Sequence, residues 1–266
     1  MITLVRTLLV VSALLAANVE VRGDITLFDG TLGTTPGAQG WLYLTNPVFG
    51  AKATQTPGPS GTILDTQAVQ TEQAGWFSRL GGFAHPSMPT LDRSLGFTVR
   101  LDLAVLAESH ASIHRAGFSL IVLGQDLRGI ELGFWTDRIW AQSDNPLFTR
   151  AEEAIVDTTA SAGYLLSVAG NQYTLYRNGG AILDGPLRDY SSFGTPYNTP
   201  SFIFVGDDTS SASARVNLAG VGVSLTAVPE PGAWRLFASG IGGVVAIEAV
   251  RRRRLNPFGT RDRYPG

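Results

Sequence analysis

The sequence predicts an all-β body, an antiparallel β-sandwich, framed by an N-terminal signal helix and a C-terminal transmembrane helix. Three observations carry this. The 266 residues include 31 glycines and 14 prolines, which favour turns and short strands over long helices. Strand-like runs follow one another with no long helical period between them. Each end of the chain carries an apolar run of its own, set apart from the body. Hydrophobic residues make up 44% and charged residues 16%, so a packed core is attainable and disorder throughout is excluded. There is no cysteine, which excludes disulfides, thiolate metal sites and cysteine nucleophiles.

Residues 1–23, MITLVRTLLVVSALLAANVEVRG, predict a signal peptide. Arg6 supplies the positive start, and Leu8 to Ala17 is an apolar run of ten residues, the length of a signal core and too short to span a bilayer. Cleavage after Ala16 and cleavage after Gly23 both fit.

Residues 24–227 form the predicted extracellular domain. They hold 11 Lys and Arg against 18 Asp and Glu, a net charge of −7. An acidic surface disfavours nucleic acid and other polyanions as partners. GFTVRLDLAV alternates cleanly. Phe97, Val99, Leu101, Leu103 and Val105 face one way and Thr98, Arg100 and Asp102 the other, the pattern of a half-buried strand. GFSLIVLG (117–124) is continuously apolar and predicts a central strand. GIELGFWTD and RIWAQ predict a hairpin turning near Thr136-Asp137-Arg138. Tyr164 to Val168, Gln172 to Arg177 and Ala181 to Asp184 predict a meander. Its Asn178-Gly179 pair tolerates the positive φ of a type I′ turn. Ser201 to Asp208 and Ala214 to Leu225 supply the last strands.

The run from Tyr164 to Leu225, with its tyrosine-rich meander, its Asn-Gly turn and its strand ending in Gly-Asp-Asp, resembles the second half of a laminin-G or concanavalin-A-like jelly roll. RAGFSLIVLGQDLRGIELGFWTDRIWAQ, GPLRDYSSFG and FIFVGDDTSSASA further resemble a bacterial choice-of-anchor domain, over most of residues 90–226. That resemblance implies surface anchoring and no defined activity.

Candidate chemistry in the body is sparse. A retaining glycosidase needs two carboxylates ~5–5.5 Å apart. The Glu-x-Asp-x-x-Glu strand of the related β-glucanases is absent, and Glu131 and Asp137 are even-spaced across a predicted turn. Glu108, His110 and His114 share parity, but ESHASIH reads as a polar surface loop rather than a metal site. No Gly-x-Ser-x-Gly elbow and no phosphate loop is present. Asp207 and Asp208, with Asn217, are the candidate Ca²⁺ ligands, since hard cations take several oxygens. The competing reading is an Asx turn at a strand end. Trp135 and Trp140, which the hairpin brings together, are the candidate carbohydrate contacts.

Residues 228–254 predict a sorting signal, followed by a cytoplasmic tail, 255–266. Ala233 to Val250 is eighteen residues, about 27 Å as a helix against a hydrocarbon core of ~30 Å. Arg235 and Glu248 fall near its ends, where long charged side chains reach the interface. Arg251, Arg252, Arg253 and Arg254 mark the cytoplasmic side. Val228-Pro229-Glu230-Pro231-Gly232, the apolar span and the four arginines together resemble the PEP-CTERM sorting signal of exopolysaccharide-producing Gram-negative bacteria. The resemblance implies processing by an exosortase, a membrane protease, after transient membrane anchoring, with release to the cell surface or extracellular matrix. An ordinary unprocessed membrane helix is the alternative.

The expectation is therefore an exported surface or matrix protein with a structural or adhesive role and weak carbohydrate binding, to the exopolysaccharide among others. An extracellular polysaccharide-acting glycosidase and a calcium-stabilised interaction module are the alternatives.

Overall fold

The computed structural model describes residues 24–227. The expected signal peptide, the Val228–Gly232 motif, the span 233–250, the arginines 251–254 and the tail lie outside the described residues. Among the described residues no helix is long and apolar enough to cross a membrane.

The strands are β1 (Ile25–Asp29), β2 (Leu42–Asn46), β3 (Thr54–Gly58), β4 (Gly61–Asp65), β5 (Gln73–Phe77), the two-residue β6 (Arg79–Leu80) and β7 (Phe83–Ala84), and the long β8 (Phe97–His110). Then come β9 (Ser119–Leu123), β10 (Arg128–Phe134), β11 (Arg138–Asp144), β12 (Leu147–Ile155), β13 (Ala162–Ala169), β14 (Gln172–Arg177) and β15 (Gly180–Pro186). A two-residue β16 (Arg188–Asp189), β17 (Phe202–Asp207) and β18 (Ala212–Ser224) complete the body. Two antiparallel sheets result. One runs β15-β14-β13-β8-β18-β4-β3, with β1 also on β18; the other runs β12-β11-β10-β9-β17-β5-β2, with β16 also on β10. The chain crosses repeatedly between them, so neighbours in space are mostly distant in sequence.

The core lies between the sheets. The alternating face of β8 (Phe97, Val99, Leu101, Leu103, Val105) is buried against Ile130, Leu132 and Phe134 of β10 and Ile203 and Val205 of β17, in one apolar cluster. The period-2 reading thus holds for β8, and β9 is a fully buried central strand as expected. The hairpin of β10 and β11 forms with Leu132 opposite Ala141 and Phe134 opposite Ile139. Asn178 and Gly179 adopt φ of 49° and 84°, the predicted turn. One expectation changes. β8 continues through Glu108 to His110, because its whole length pairs with β18 as far as Ala212, so only the end of ESHASIH is loop.

The sheet containing β17 has a second apolar layer on its outer face. Ile121, Leu123, Phe202 and Phe204 point outward there and are covered by Tyr190 and Tyr197 of the segment linking β16 to β17. The segment is anchored where the ladder fails. Beyond Leu132–Ala141, the next β10–β11 pair would be Glu131 with Gln142, but β16 takes up the edge of β10 at Arg128 and Gly129 instead. The Tyr190 hydroxyl fills the gap. It receives the Glu131 amide at 3.4 Å and donates to the Gln142 carbonyl at 2.6 Å.

Candidate functional site

A cavity of about 690 Å³ opens on this outer face. That volume lies in the ~300–1,000 Å³ range of small-molecule sites. Its apolar side comes from Leu44 of β2, Phe77 of β5, Ile121 of β9, Phe204 of β17 and the rings of Phe148, Phe193 and Tyr197. Its polar side comes from Asn46, Gln73, Arg115, Asp208 and Thr209 to Ser211.

The aromatic wall is a packed cluster. Phe148 lies edge-on to Phe193 with ring centres 4.9 Å apart, and 5.2 Å from Tyr197. Phe193 closes a single 3₁₀ turn, Ser191–Phe193, and stays 58% exposed, which makes it the ring most open to a ligand. Phe204 can lie flat along the floor because Gly75 faces it, where any side chain would overlap the phenyl ring.

Arg115 enters from the β8–β9 connection. Its Nε donates to the Thr209 hydroxyl at 3.1 Å, its Nη2 lies 3.2 Å from Asp208, and its Nη1 lies 3.7 Å from Glu131. The guanidinium also sits 5.0 Å over the Phe148 ring. The Tyr197 hydroxyl donates to Glu131 Oε2 at 2.6 Å and lies 3.3 Å from Asp208 Oδ2. Two carboxyl groups thus share one arginine and one tyrosine. Burial, then the adjacent Asp208 charge, push the Glu131 carboxyl above the usual carboxylate range, with Arg115 and the Tyr197 hydrogen bond opposing. Glu131 is fully buried behind Tyr197 and Arg115, and of this pair only Asp208 borders the cavity.

Asp207 ends β17 and Asp208 follows it, and the two side chains take different partners. Asp207 is buried and makes a latch with β4's flank. Its Oδ2 meets the Thr66 hydroxyl at 2.7 Å, and its Oδ1 accepts the Thr209 amide at 3.1 Å. Burial pushes it up to about 8. Asn217 projects from β18 on the far side of the sandwich, where its Nδ2 donates to the Ser60 carbonyl at 3.3 Å. The three candidate calcium ligands have separate partners, Asp207 with Thr66, Asp208 with Arg115 and Asn217 with the Ser60 carbonyl. Among the described residues no group of three His, Asp or Glu side chains is gathered for a metal. His110 pairs with Glu108 at 2.9 Å, while His114 receives the Arg150 amide at 3.1 Å. Asp137 is held by its neighbour Arg138 in the β10–β11 turn, remote in role from buried Glu131.

Trp135 and Trp140 do meet, with ring centres 4.6 Å apart. They are 6% and 0% exposed, however, and His110 stacks on Trp135 at 3.7 Å with the planes 8° apart. Arg138 and Arg150 lie 5.5 and 5.3 Å from the same ring. No ring face is left for a sugar, which corrects the expected carbohydrate contact. The Trp135 indole instead donates to the Arg115 carbonyl at 3.0 Å, and Gln142 donates to the His114 carbonyl at 2.8 Å. The tryptophan hairpin clamps the loop that carries Arg115. The cavity's own residues Arg115, Phe148, Phe193 and Tyr197 carry no local motif; they meet only through the crossings between sheets.

No family model and no curated protein matches the chain. Among solved structures it is similar to a carbohydrate esterase from Shiga toxin-encoding bacteriophage phi24B, with a TM-score of 0.50 and 13% identity over 77% of this chain and 100% of that one. A Bacillus subtilis protein with a galectin-like fold gives 0.47 and 9% over 77% and 98%. The Ca²⁺/Man3GlcNAc-bound exoplasmic/lumenal domain of VIP36 gives 0.45 and 9% over 80% and 95%. At such identities the first likeness shows the fold alone: a two-sheet antiparallel β-sandwich.

Proposed function

We propose that this is an exported, surface-sorted binding protein of concanavalin-A-like build whose outer-face cleft holds a carbohydrate segment of the extracellular matrix. The observation that carries the reading is the cleft itself, an aromatic wall facing a polar edge. Sugars present the matching combination of apolar C–H faces and hydroxyl groups. A hydrolytic role is not favoured, because the second carboxyl of the Glu131–Asp208 pair is sealed from the cleft and glycoside hydrolysis needs two groups flanking the bond. The sorting half of the proposal rests on the tail sequence, with an exosortase as processing partner and the membrane as transient anchor.

Affinity electrophoresis of the purified protein through gels containing matrix polysaccharides tests the binding half. Retardation by at least one polysaccharide, lost on Phe193→Ala, is the expected result; free migration in all of them removes the reading. Intact-mass analysis in hosts with and without an exosortase tests the sorting half. A released form ending near Val228 to Pro231 only where the protease is present is expected, and a full-length membrane-bound chain in both hosts refutes it.

A further inference from the structure

We propose that the cleft is specific for neutral glycans and rejects acidic ones, reading hydroxyl groups along a preset polar edge formed by the amides of Asn46 and Gln73 and the hydroxyl of Ser210. The inference rests on the carbohydrate reading above and names its ligand class. Two independent observations support it.

The first is charge. Of the residues lining the cavity only Arg115, Asp207 and Asp208 are ionisable acids or bases of the charged classes. Arg115 is paired with Asp208, donates to Thr209 and lies over the Phe148 ring, and its Nη1, which has no hydrogen-bond partner, is buried. A uronate or sialate carboxylate entering here meets a single lining cation, Arg115, already paired with a carboxylate, and it approaches Asp208 within a body of net charge −7. Like-charge placement of this kind selects against a ligand as effectively as contacts select for one.

The second is preorganisation. The Asn46 amide donates to Gln73 Oε1 at 2.8 Å, and the Gln73 amide donates to the Asp208 carbonyl at 2.7 Å. The two amides hold each other across β2 and β5, whose strands place Asn46 directly opposite Gln73. Each amide NH₂ keeps a second hydrogen, and Asn46 keeps its carbonyl oxygen. Ser210 is exposed beside them. These are neutral donors and acceptors fixed before any ligand arrives, the complement of sugar hydroxyls rather than of a carboxylate. Across the cavity Phe193 supplies the apolar face.

Calorimetric titration of the full chain tests this with four hexasaccharide probes: neutral β-glucan, α-mannan and β-galactan hexamers and a hexagalacturonate. The expected result is binding of at least one neutral hexamer about tenfold or more tighter than the uronate. Phe193→Ala and Gln73→Ala should each weaken that binding about fivefold or more, with the unfolding temperature recorded alongside. Phe193 is exposed and makes no hydrogen bond through its side chain, so its variant remains informative if Gln73→Ala destabilises the fold. Equal or tighter binding of the uronate overturns the neutral-glycan inference and leaves the carbohydrate reading standing. Neutral binding untouched by both substitutions places the sugar elsewhere and also overturns it. Failure of all four probes removes the carbohydrate reading and this inference with it.

Discussion

At the residue scale, two buried acids dominate the electrostatics. Asp207 is pushed up to about 8 and Glu131 above the usual carboxylate range, both chiefly by burial. In the unfolded chain both return to ordinary carboxylate values near 4. The folded form therefore binds more protons between about pH 4 and 8. Their contribution to stability is fully present below the unfolded value and is lost as pH rises through the folded one. The unfolding temperature should accordingly fall from pH 5 to pH 9, and Asp207→Asn should flatten that fall by removing one of the two titrations. A wild-type melting temperature that rises steadily over this range would contradict the assignment. Two donors, the Thr66 hydroxyl and the Thr209 amide, oppose the upward push of burial on Asp207. The Thr66 hydroxyl donates to Asp207 Oδ2 at 2.7 Å and accepts the Ala214 amide at 2.9 Å. Tyr190 is the other decisive residue. Its hydroxyl replaces a missing ladder bond, so Tyr190→Phe leaves a buried amide and a buried carbonyl without partners. A loss of about 2–6 kcal/mol in denaturant unfolding is expected, from ~1–3 kcal/mol for each of the two orphaned groups.

At the element scale, the cleft exists because the outer face of one sheet is neither bare nor fully covered. The segment from β16 to β17 covers Ile121, Leu123 and Phe202 and stops short of β2 and β5. Gly75 on β5 keeps the floor low enough for the Phe204 ring. Gly75→Ala should force that ring upward into the cavity, costing roughly 1–3 kcal/mol for overpacking. It should also weaken ligand binding, where a remote glycine-to-alanine change would leave binding intact. Much of the element pattern was legible in sequence. The alternation of β8, the apolar run of β9, the β10–β11 hairpin and the Asn-Gly turn each depend on local rules that neighbouring residues satisfy among themselves. The strands from β1 to β7 carried no such signal. They run two to five residues, and β3, TQTPG, is mostly exposed, so no clean period of two survives.

At the scale of the whole molecule, β18 holds the sandwich together. It pairs with β8 along one edge and with both β4 and β1 along the other. The body's order continues just past it, where the Thr98 hydroxyl donates to the Thr226 carbonyl at 2.8 Å. A chain ended at Ser213 loses the partner of three strands and is expected to show no cooperative β-sheet melting by circular dichroism. A chain ended at Ala227 retains every described strand.

The sequence by itself determined the all-β class, the position of the main strands, the acidic body and the tail's resemblance to a sorting signal, because each rests on period, composition or local order. Only the tertiary structure decided the site. It turned Trp135 and Trp140 inward as the clamp for the Arg115 loop, gave Asp207, Asp208 and Asn217 separate partners, and set Arg115, Glu131, Tyr197 and Asp208 around one another. The physical reason is separation along the chain. Tyr197 reaches Glu131 across 66 residues and Arg115 reaches Asp208 across 93, and contacts closed over such distances follow from sheet order, which no short window of sequence encodes.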